Sequence, residues 1–472
     1  MKLKRLLGAC VVLPSFALSG CQSIGMDYFR PKQTLPSQYQ QSQEITKKEA
    51  IPNEWWKLYQ DEVLDELIKK AIENNTDIKI AVARIEEADG YLREVGAALF
   101  PQVNIDSSAS RYKVTQLGST PLFGGISPTR SNYNIKLGTT FELDFWGKLR
   151  RAQESAKAEA LGSRFAKDTV DLSLKSLVTG DYLLLRSLES QIKLSKINMQ
   201  IREDSLALTK RRLEGGVSSA LDVYQAEVAY TNLRAQLADL IRQHEIIRNQ
   251  LAILTGDLEL KLPEGDVHAL PIPPVPPLGL PSALLDARPD IRQAEQNLIA
   301  ANAKIAVAKA ALFPTISLTA GFGGESKDLG DVLKSASRIW NGGLSLNLPI
   351  FDSGRLNSKV DQASAQQKQL LATYERAIQN GFEEVNDALI NLRQNTEREN
   401  SLYLSQQSAS NALEIANNRY KSGYTGYLDV LDAQRVFNDA SLAYVQSRQS
   451  RLTSTVELFK ALGGGWSTKA PK

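Results

Sequence analysis

Two stretches of this 472-residue chain, 129–262 and 350–470, contain no proline. Proline inside a helix removes a hydrogen bond and clashes with the preceding turn. Within these stretches, residues 148–214 and 353–421 carry unbroken polar–apolar patterning, which predicts two helices about 100 Å long at 1.5 Å per residue. Helices in soluble domains average about 11–12 residues. Helices this long need lateral partners along their whole length, which restricts the chain to coiled-coil-like packing. Each run stops at glycines, Gly215-Gly216 in one and Gly423 with Gly426 in the other, and resumes with L-D-V at 221–223 and 428–430. Both therefore read as helical hairpins with tight tips.

The hairpins belong to a larger repeat. A-A-L-F-P occurs at 97–101 and again at 310–314, each time closing a helical run and opening an alternating one. Upstream, N-T-D-I-K-I (75–80) matches R-P-D-I-R-Q (288–293), with Asp77 and Asp290 where a helix N-terminus favours a carboxylate. Downstream, R-L-E-G-G-V-S-S-A-L-D-V (212–223) matches R-Y-K-S-G-Y-T-G-Y-L-D-V (419–430). Internal periodicity of this kind predicts two structural repeats, 61–262 and 282–466. Between them the proline-dense segment 263–281 reads as an extended linker.

Each repeat carries two period-two segments, expected as strands at about 102–113 and 131–143, then about 315–323 and 342–350. Tyr133, Ile135, Leu137, Phe141 and Leu143 alternate with Asn132, Asn134, Lys136 and Glu142. Leu344, Leu346, Leu348 and Ile350 alternate with Ser345, Asn347 and Pro349. Alternation over about ten residues is the pattern of a tilted membrane β-strand. Longer loops, roughly 115–130 and 325–340, join each pair. A half-buried sheet in a soluble domain gives the same alternation, but two hairpins of this length would dwarf it. Four strands cannot span a bilayer alone, because both sheet edges leave backbone groups unpaired in hydrocarbon. Several chains must pool their strands: two chains give eight and a filled interior, three give twelve and a wide lumen.

The amino-terminal segment reads as a leader. Lys2, Lys4 and Arg5 precede a short apolar run, 6–18, that is interrupted by Pro14 and too short to span a membrane. It ends in L-S-G-C (18–21), which looks like a lipoprotein lipobox, so 1–20 is expected to be removed and Cys21 acylated. Residues 21–60 then form a tail, with Trp55, Trp56 and Tyr59 expected in a core. Loss of Cys10 leaves Cys21 alone, which rules out a disulfide framework or a cysteine metal site. The three leader cations equal the formal net charge of +3. A neutral mature chain argues against a nucleic-acid partner. His244 and His268 stand in no metal-binding cluster and no phosphate-binding G-x-x-x-x-G-K-[ST] loop occurs. No cofactor, metal or enzymatic activity is expected.

The lipobox, R-P-D-I-R-Q-A-E (288–295), the two A-L-F-P seams and Y-L-D-V-L-D-A-Q-R (427–435) together resemble the TolC-like outer-membrane efflux family, in its OprM- and NodT-type lipoprotein branch. The resemblance covers essentially the whole mature chain. It implies a mainly α protein with membrane β: a homotrimer whose chains each give four strands to a twelve-stranded barrel, continuous with a long α-helical periplasmic barrel and a mixed equatorial belt. It implies an outer-membrane location with lipid contact and a lipid anchor. The partners it implies are a periplasmic adaptor (membrane fusion) protein and an inner-membrane pump of the RND type. The duct would pass drugs or other small molecules outward; protein secretion of type I and metal-ion efflux use the same architecture. From a different class, the chain could be a periplasmic coiled-coil lipoprotein scaffold without a pore.

Leu428, Asp432 and Arg435 are spaced to share one helix face, and their counterparts in the first repeat are Leu221, Gln225 and Val228. In the family, the corresponding leucine, aspartate and arginine are assigned to the closed periplasmic gate. The competing reading is an ordinary surface ion pair between Asp432 and Arg435. Asp222 and Asp429 are expected to cap or brace the tips. Gly215, Gly216, Gly423 and Gly426 are expected to let the hairpins turn, with Val217, Ser218, Tyr424 and Thr425 as contacts for the adaptor.

Overall fold

The computed structural model describes residues 24–32, 35–36, 39, 52–115, 127–275 and 283–465. The leader, Cys21, most of the loop expected at 115–130 and the end of the linker lie outside the described residues. In chain order the elements are a 3-10 turn (Trp55–Tyr59), α1 (Glu62–Asn74), α2 (Thr76–Ala97), β1 (Gln102–Lys113), β2 (Thr129–Leu143), α3 (Lys148–Glu214) and α4 (Ala220–Thr255). Then follow the short α5 (Leu284–Ala287), α6 (Pro289–Ala310), β3 (Thr315–Ser326), β4 (Arg338–Asn347), α7 (Arg355–Lys421) and α8 (Tyr427–Ala461). The run α2–β1–β2–α3–α4 recurs as α6–β3–β4–α7–α8. The repeat holds in length: α2 and α6 are both 22 residues, β1 and β3 both 12, and α3 and α7 both 67.

The two A-L-F-P seams fold alike. Leu99 and Phe100 donate their amides to Gly96 and Ala97, and Leu312 and Phe313 to Lys309 and Ala310. A tightened last turn followed by proline ends each helix and releases an extended strand. On the way back, Asp144 accepts from the Leu149 amide at 3.0 Å and Asp352 from Leu356 at 2.9 Å. Gly147 and Gly354 hold φ of 77° and 83° at those junctions, a region that favours glycine.

The chain divides into two compact units. The first comprises residues up to Lys32, Arg84–Ser163 and Ala294–Tyr374. It contains one antiparallel sheet in the order β1-β2-β3-β4. The register places Ile105 opposite Leu137, Leu137 opposite Phe322, and Phe322 opposite Trp340. A second such row runs from Phe141 to Leu318 and Leu344. Alternation therefore gathers one apolar face across four strands, while Asn104, Asp106, Asn134, Lys136 and Thr319 share the other. Val103, Ile105, Leu137, Leu318, Phe322, Leu344 and Leu346 are all exposed within the chain. Aromatics mark both ends. Phe100, Phe145, Phe313 and Phe351 stand at the helix-proximal ends of the strands, and Tyr133 and Trp340 toward the opposite end of the apolar face, Trp340 being 82% exposed.

Two strand expectations need correcting. The strand expected at about 342–350 is Arg338–Asn347, because Pro349 has no N–H to give a ladder and the backbone has already left the sheet. The strand expected at about 315–323 runs on to Ser326, since Gly323 and Gly324 continue the pairing with β2. Of the loop expected at 325–340, residues 329–331 and 335–337 are 3-10 turns.

An amino-terminal strap completes the first unit. Ile24 donates its amide to the Trp146 carbonyl at 3.0 Å, Asn302 donates to the Met26 carbonyl at 3.1 Å, and Arg151 meets Asp27 at 2.6 Å. Arg30 grips Glu295 through two bonds of 2.7 Å. Arg30 thus supplies a structural reason for Glu295, the final acid of R-P-D-I-R-Q-A-E.

The second unit comprises Gln33–Ala83, Arg164–Gln293 and Glu375–Lys472. Its core includes fully buried Trp55 stacked on Phe459 at 5.3 Å, and Tyr59 bonded to Thr455 at 2.6 Å. The arginine of the same motif, Arg288, is buried and reaches Asp290 at 2.7 Å, Glu384 at 2.6 Å and the Ala461 carbonyl at 3.0 Å. The described part of the linker is clamped. Arg186 donates to the Pro263 carbonyl at 2.6 Å, Arg448 to the Leu270 carbonyl at 2.7 Å, and His268 stacks on Tyr444 at 4.7 Å.

Candidate functional site at the hairpin tips

Both tips close with the same backbone lock. Val217 donates its amide to the Arg212 carbonyl and Gly216 to Leu213; Tyr424 donates to Arg419 and Gly423 to Tyr420. This six-to-one plus five-to-two pairing is a Schellman motif, and its C′ residue must be left-handed. Gly216 and Gly423 hold that position, with φ of 71° and 78°. Gly215 and Gly426 do not: neither is among the positive-φ residues, which corrects the expectation that all four glycines enable the turn. Gly426 is instead the extended residue that opens α8, φ −72°.

The two tips restart differently. Ser219 caps α4 in a reciprocal capping box with Asp222, whereas at the matching position Gly426 offers α8 no side-chain cap. Asp222 thus braces its tip as expected; Asp429 lies in the first turn of α8. Hydrogen bonds from Ser218 and Ser219 hold the Asp222 carboxyl below its ordinary range. A depressed acid contributes stability above its unfolded pKa, and that contribution is lost as pH falls through the lower folded value. A Ser219→Ala exchange is expected to cost the α4 start about 1 kcal/mol. Hydrogen exchange at the Asp222 amide reads this as a roughly fivefold acceleration, with little change at α8.

Beneath the tips Ala226, Tyr420, Tyr427 and Val430 form a buried cluster, with Leu206, Ala416 and Leu431 packed against it. All four long helices contribute. Arg212 lies over the Tyr420 ring at 4.7 Å. Above the cluster, polar groups join α3 to α8: Gln191 to Gln446 at 3.1 Å, Asn198 to Asn438 at 2.9 Å, and Arg202 to Gln434 at 2.8 Å. Burial holds the Arg202 guanidinium below its usual range. Gln434 also donates to Ser205 at 3.4 Å; sequence reasoning missed this ladder, although Gln191, Asn198 and Ser205 recur every seven residues, the spacing of a packed helical seam.

Leu428, Asp432 and Arg435 line one open groove of ≈ 560 Å³ with Tyr224, Gln225 and Val228. The α8 residues therefore face two of their own first-repeat counterparts, Gln225 and Val228, across the groove between α4 and α8. Leu428 and Leu221 are 60% and 63% exposed, so neither is consumed by packing within the chain. Asp432 accepts from Arg435 at 2.8 Å, and Asp439 stands 3.7 Å from the same guanidinium. Within one chain this is an exposed ion pair on a single helix; only another copy meeting the same face could turn it into a ring. Val217 and Tyr424, at the tips themselves, are 69% and 80% exposed. Among the described residues no grouping of His, Cys, Asp or Glu is fit to hold a metal ion, and no helix is long and apolar enough to cross a membrane.

A family model described as outer membrane efflux protein matches residues 67–257 and 280–464, once per repeat. The chain is 35% identical over 474 residues to a probable efflux pump outer membrane protein, TtgC, of Pseudomonas putida, covering 98% of this chain and 96% of that one. It is 34% identical to the cation efflux system protein CusC of Escherichia coli O6:H1, covering 98% and 99%. Among solved structures, the outer-membrane channel OprN superposes with a TM-score of 0.87 at 30% identity, over 94% of this chain and 99% of that one.

Proposed function

The chain belongs to the outer membrane efflux protein family, and on that footing we propose that it is the exit duct of a tripartite efflux system. It passively carries drugs or other small molecules, delivered by an inner-membrane pump of the RND type through a periplasmic adaptor, to the exterior. The observation that carries this is the sheet: one face apolar across four strands, the other polar, and the apolar face uncovered within the chain. An apolar face of that extent in water marks a membrane or partner surface, and its aromatic ends match the girdles of membrane barrels.

The outer strands β1 and β4 are open edges, and in hydrocarbon an open edge must be paired. Closure by two further copies, β1 of one against β4 of the next, gives a homotrimer with twelve strands and an open lumen. The hairpins α3–α4 and α7–α8 enclose the periplasmic part of the conduit. At their tips Leu428, Asp432 and Arg435 form the gate, with Gly215, Gly216, Val217 and Ser218 of one tip and Gly423, Tyr424, Thr425 and Gly426 of the other facing the adaptor. Cys21 carries the acyl anchor. The chain does no chemistry of its own; the pump supplies the driving force and the cargo.

Purified from membranes, the protein is expected to migrate as a heat-modifiable oligomer and to produce discrete conductance steps in a planar bilayer. A coiled-coil scaffold gives neither.

A further inference from the structure

The polar face of the sheet is not uniformly furnished. Gly138 of β2 lies directly opposite Gly321 of β3, and Gly321 lies opposite Asn341 of β4. Two residues along, Asp106 of β1 stands opposite Lys136 of β2. Facing glycines leave a bare patch of backbone midway along the strands, and three side chains lean into it. A Cβ on Gly138 would come within 3.4 Å of Asp106 Oδ2. A Cβ on Gly321 would overlap the Lys136 side chain, 2.8 Å from its Nζ, and would lie 2.7 Å from Asn341 Oδ1. Acid, base and amide thus lie down over the glycine pair rather than standing off the sheet.

Glycine weakens a strand interior and has to be accounted for by a close approach or a bend. Here it makes room for charge to lie flush against the wall. The remaining charges of this face are spread along the strands. Glu142 is tied to Lys148 at 3.0 Å near the helix-proximal end, whereas Glu325 and Arg130 lie beyond Lys136 toward the other end.

We infer that Asp106, Lys136 and Asn341, folded over Gly138 and Gly321, form a selectivity belt in the lumen of the barrel. The inference rests on the outer-membrane duct proposed above. Around a closed barrel of identical chains, acid and base alternate at one height without narrowing the bore. Charged rings in a pore set which ions pass, and substitutions on a lumen face tune selectivity with little cost to insertion. Lys136 is the specificity-determining group: it offsets Asp106 and Glu325 and keeps anionic solutes from being excluded from the bore.

The test is the reversal potential across a potassium chloride gradient in planar bilayers. It is made in the Leu428→Ala/Asp432→Ala background, so that the barrel contributes visibly to the resistance. Lys136→Glu is expected to raise the cation-to-anion permeability ratio about threefold or more, Lys136→Gln by less, and Asp106→Asn to lower it about twofold. Gly321→Leu, which forces the lysine off the wall, is expected to reduce conductance without changing the sign of selectivity. Unchanged ratios in Lys136→Glu, Lys136→Gln and Asp106→Asn, with conductance intact, overturn the belt and leave the duct standing. Absence of any conductance from the unaltered chain removes the duct itself, and the belt with it.

Discussion

A Leu137→Arg exchange is expected to abolish assembly in the outer membrane. Leu137 sits mid-strand, between Ile105 on one side and Phe322 on the other, at the centre of the apolar face. A guanidinium at the bilayer midplane of a barrel costs about 2–4 kcal/mol. A homotrimer meets that cost three times, about 6–12 kcal/mol, a range that includes the whole stability of many folded domains. The companion exchange Asn134→Arg adds the same charge three residues away on the opposite face, where water can solvate it. Heat-modifiable oligomer in the membrane fraction should vanish for Leu137→Arg and persist for Asn134→Arg. Equal loss in both, or equal survival, is incompatible with one face meeting lipid and the other water.

The second large effect concerns the tips. If the proposed gate holds, Leu428→Ala with Asp432→Ala is expected to raise single-channel conductance severalfold, because the double exchange would remove an apolar constriction and a ring of carboxylates together. Arg435 keeps Asp439, 3.7 Å away, so the helix face does not lose all its charge balance. The matched first-repeat pair, Leu221→Ala with Gln225→Ala, removes no charge and should change conductance much less. Conductance that is unchanged in the first pair would leave Asp432 and Arg435 as the exposed helix-surface pair they form within one chain.

What the sequence disclosed follows from which forces act locally. Helix boundaries were legible because proline and glycine act on their own backbone: α3 spans Lys148–Glu214, the expected range, and α7 begins at Arg355, two residues inside its expected start. The seams were legible because A-L-F-P encodes a turn that needs no distant partner. Strand ends were less so, since pairing partners decide them. Ile350 continues the alternation, yet no strand is left there to pair with. The tip glycines show the same divide: only the Schellman position demands a left-handed residue, and a glycine pair does not reveal which member occupies it. Least legible were long-range polar contacts. Nothing around Arg288 announces Glu384 and the Ala461 carbonyl as its partners, and nothing around Glu295 announces Arg30. Matching the two repeats exposed Asp432 and Arg435 where the first repeat has Gln225 and Val228; the gate role proposed for them comes from the family resemblance, not from the repeat. The belt over Gly138 and Gly321 depends on cross-strand register, which the sequence does not specify.

The central claim is that these strands meet lipid on one face and water on the other. Nitroxide labels at Ile135, Leu346 and Asn134, in protein reconstituted into bilayers, test it directly through their accessibility to oxygen and to a water-soluble relaxing agent. Labels at Ile135 and Leu346 should favour oxygen strongly, and the label at Asn134 the aqueous agent. Equal aqueous access at all three positions would contradict the membrane barrel.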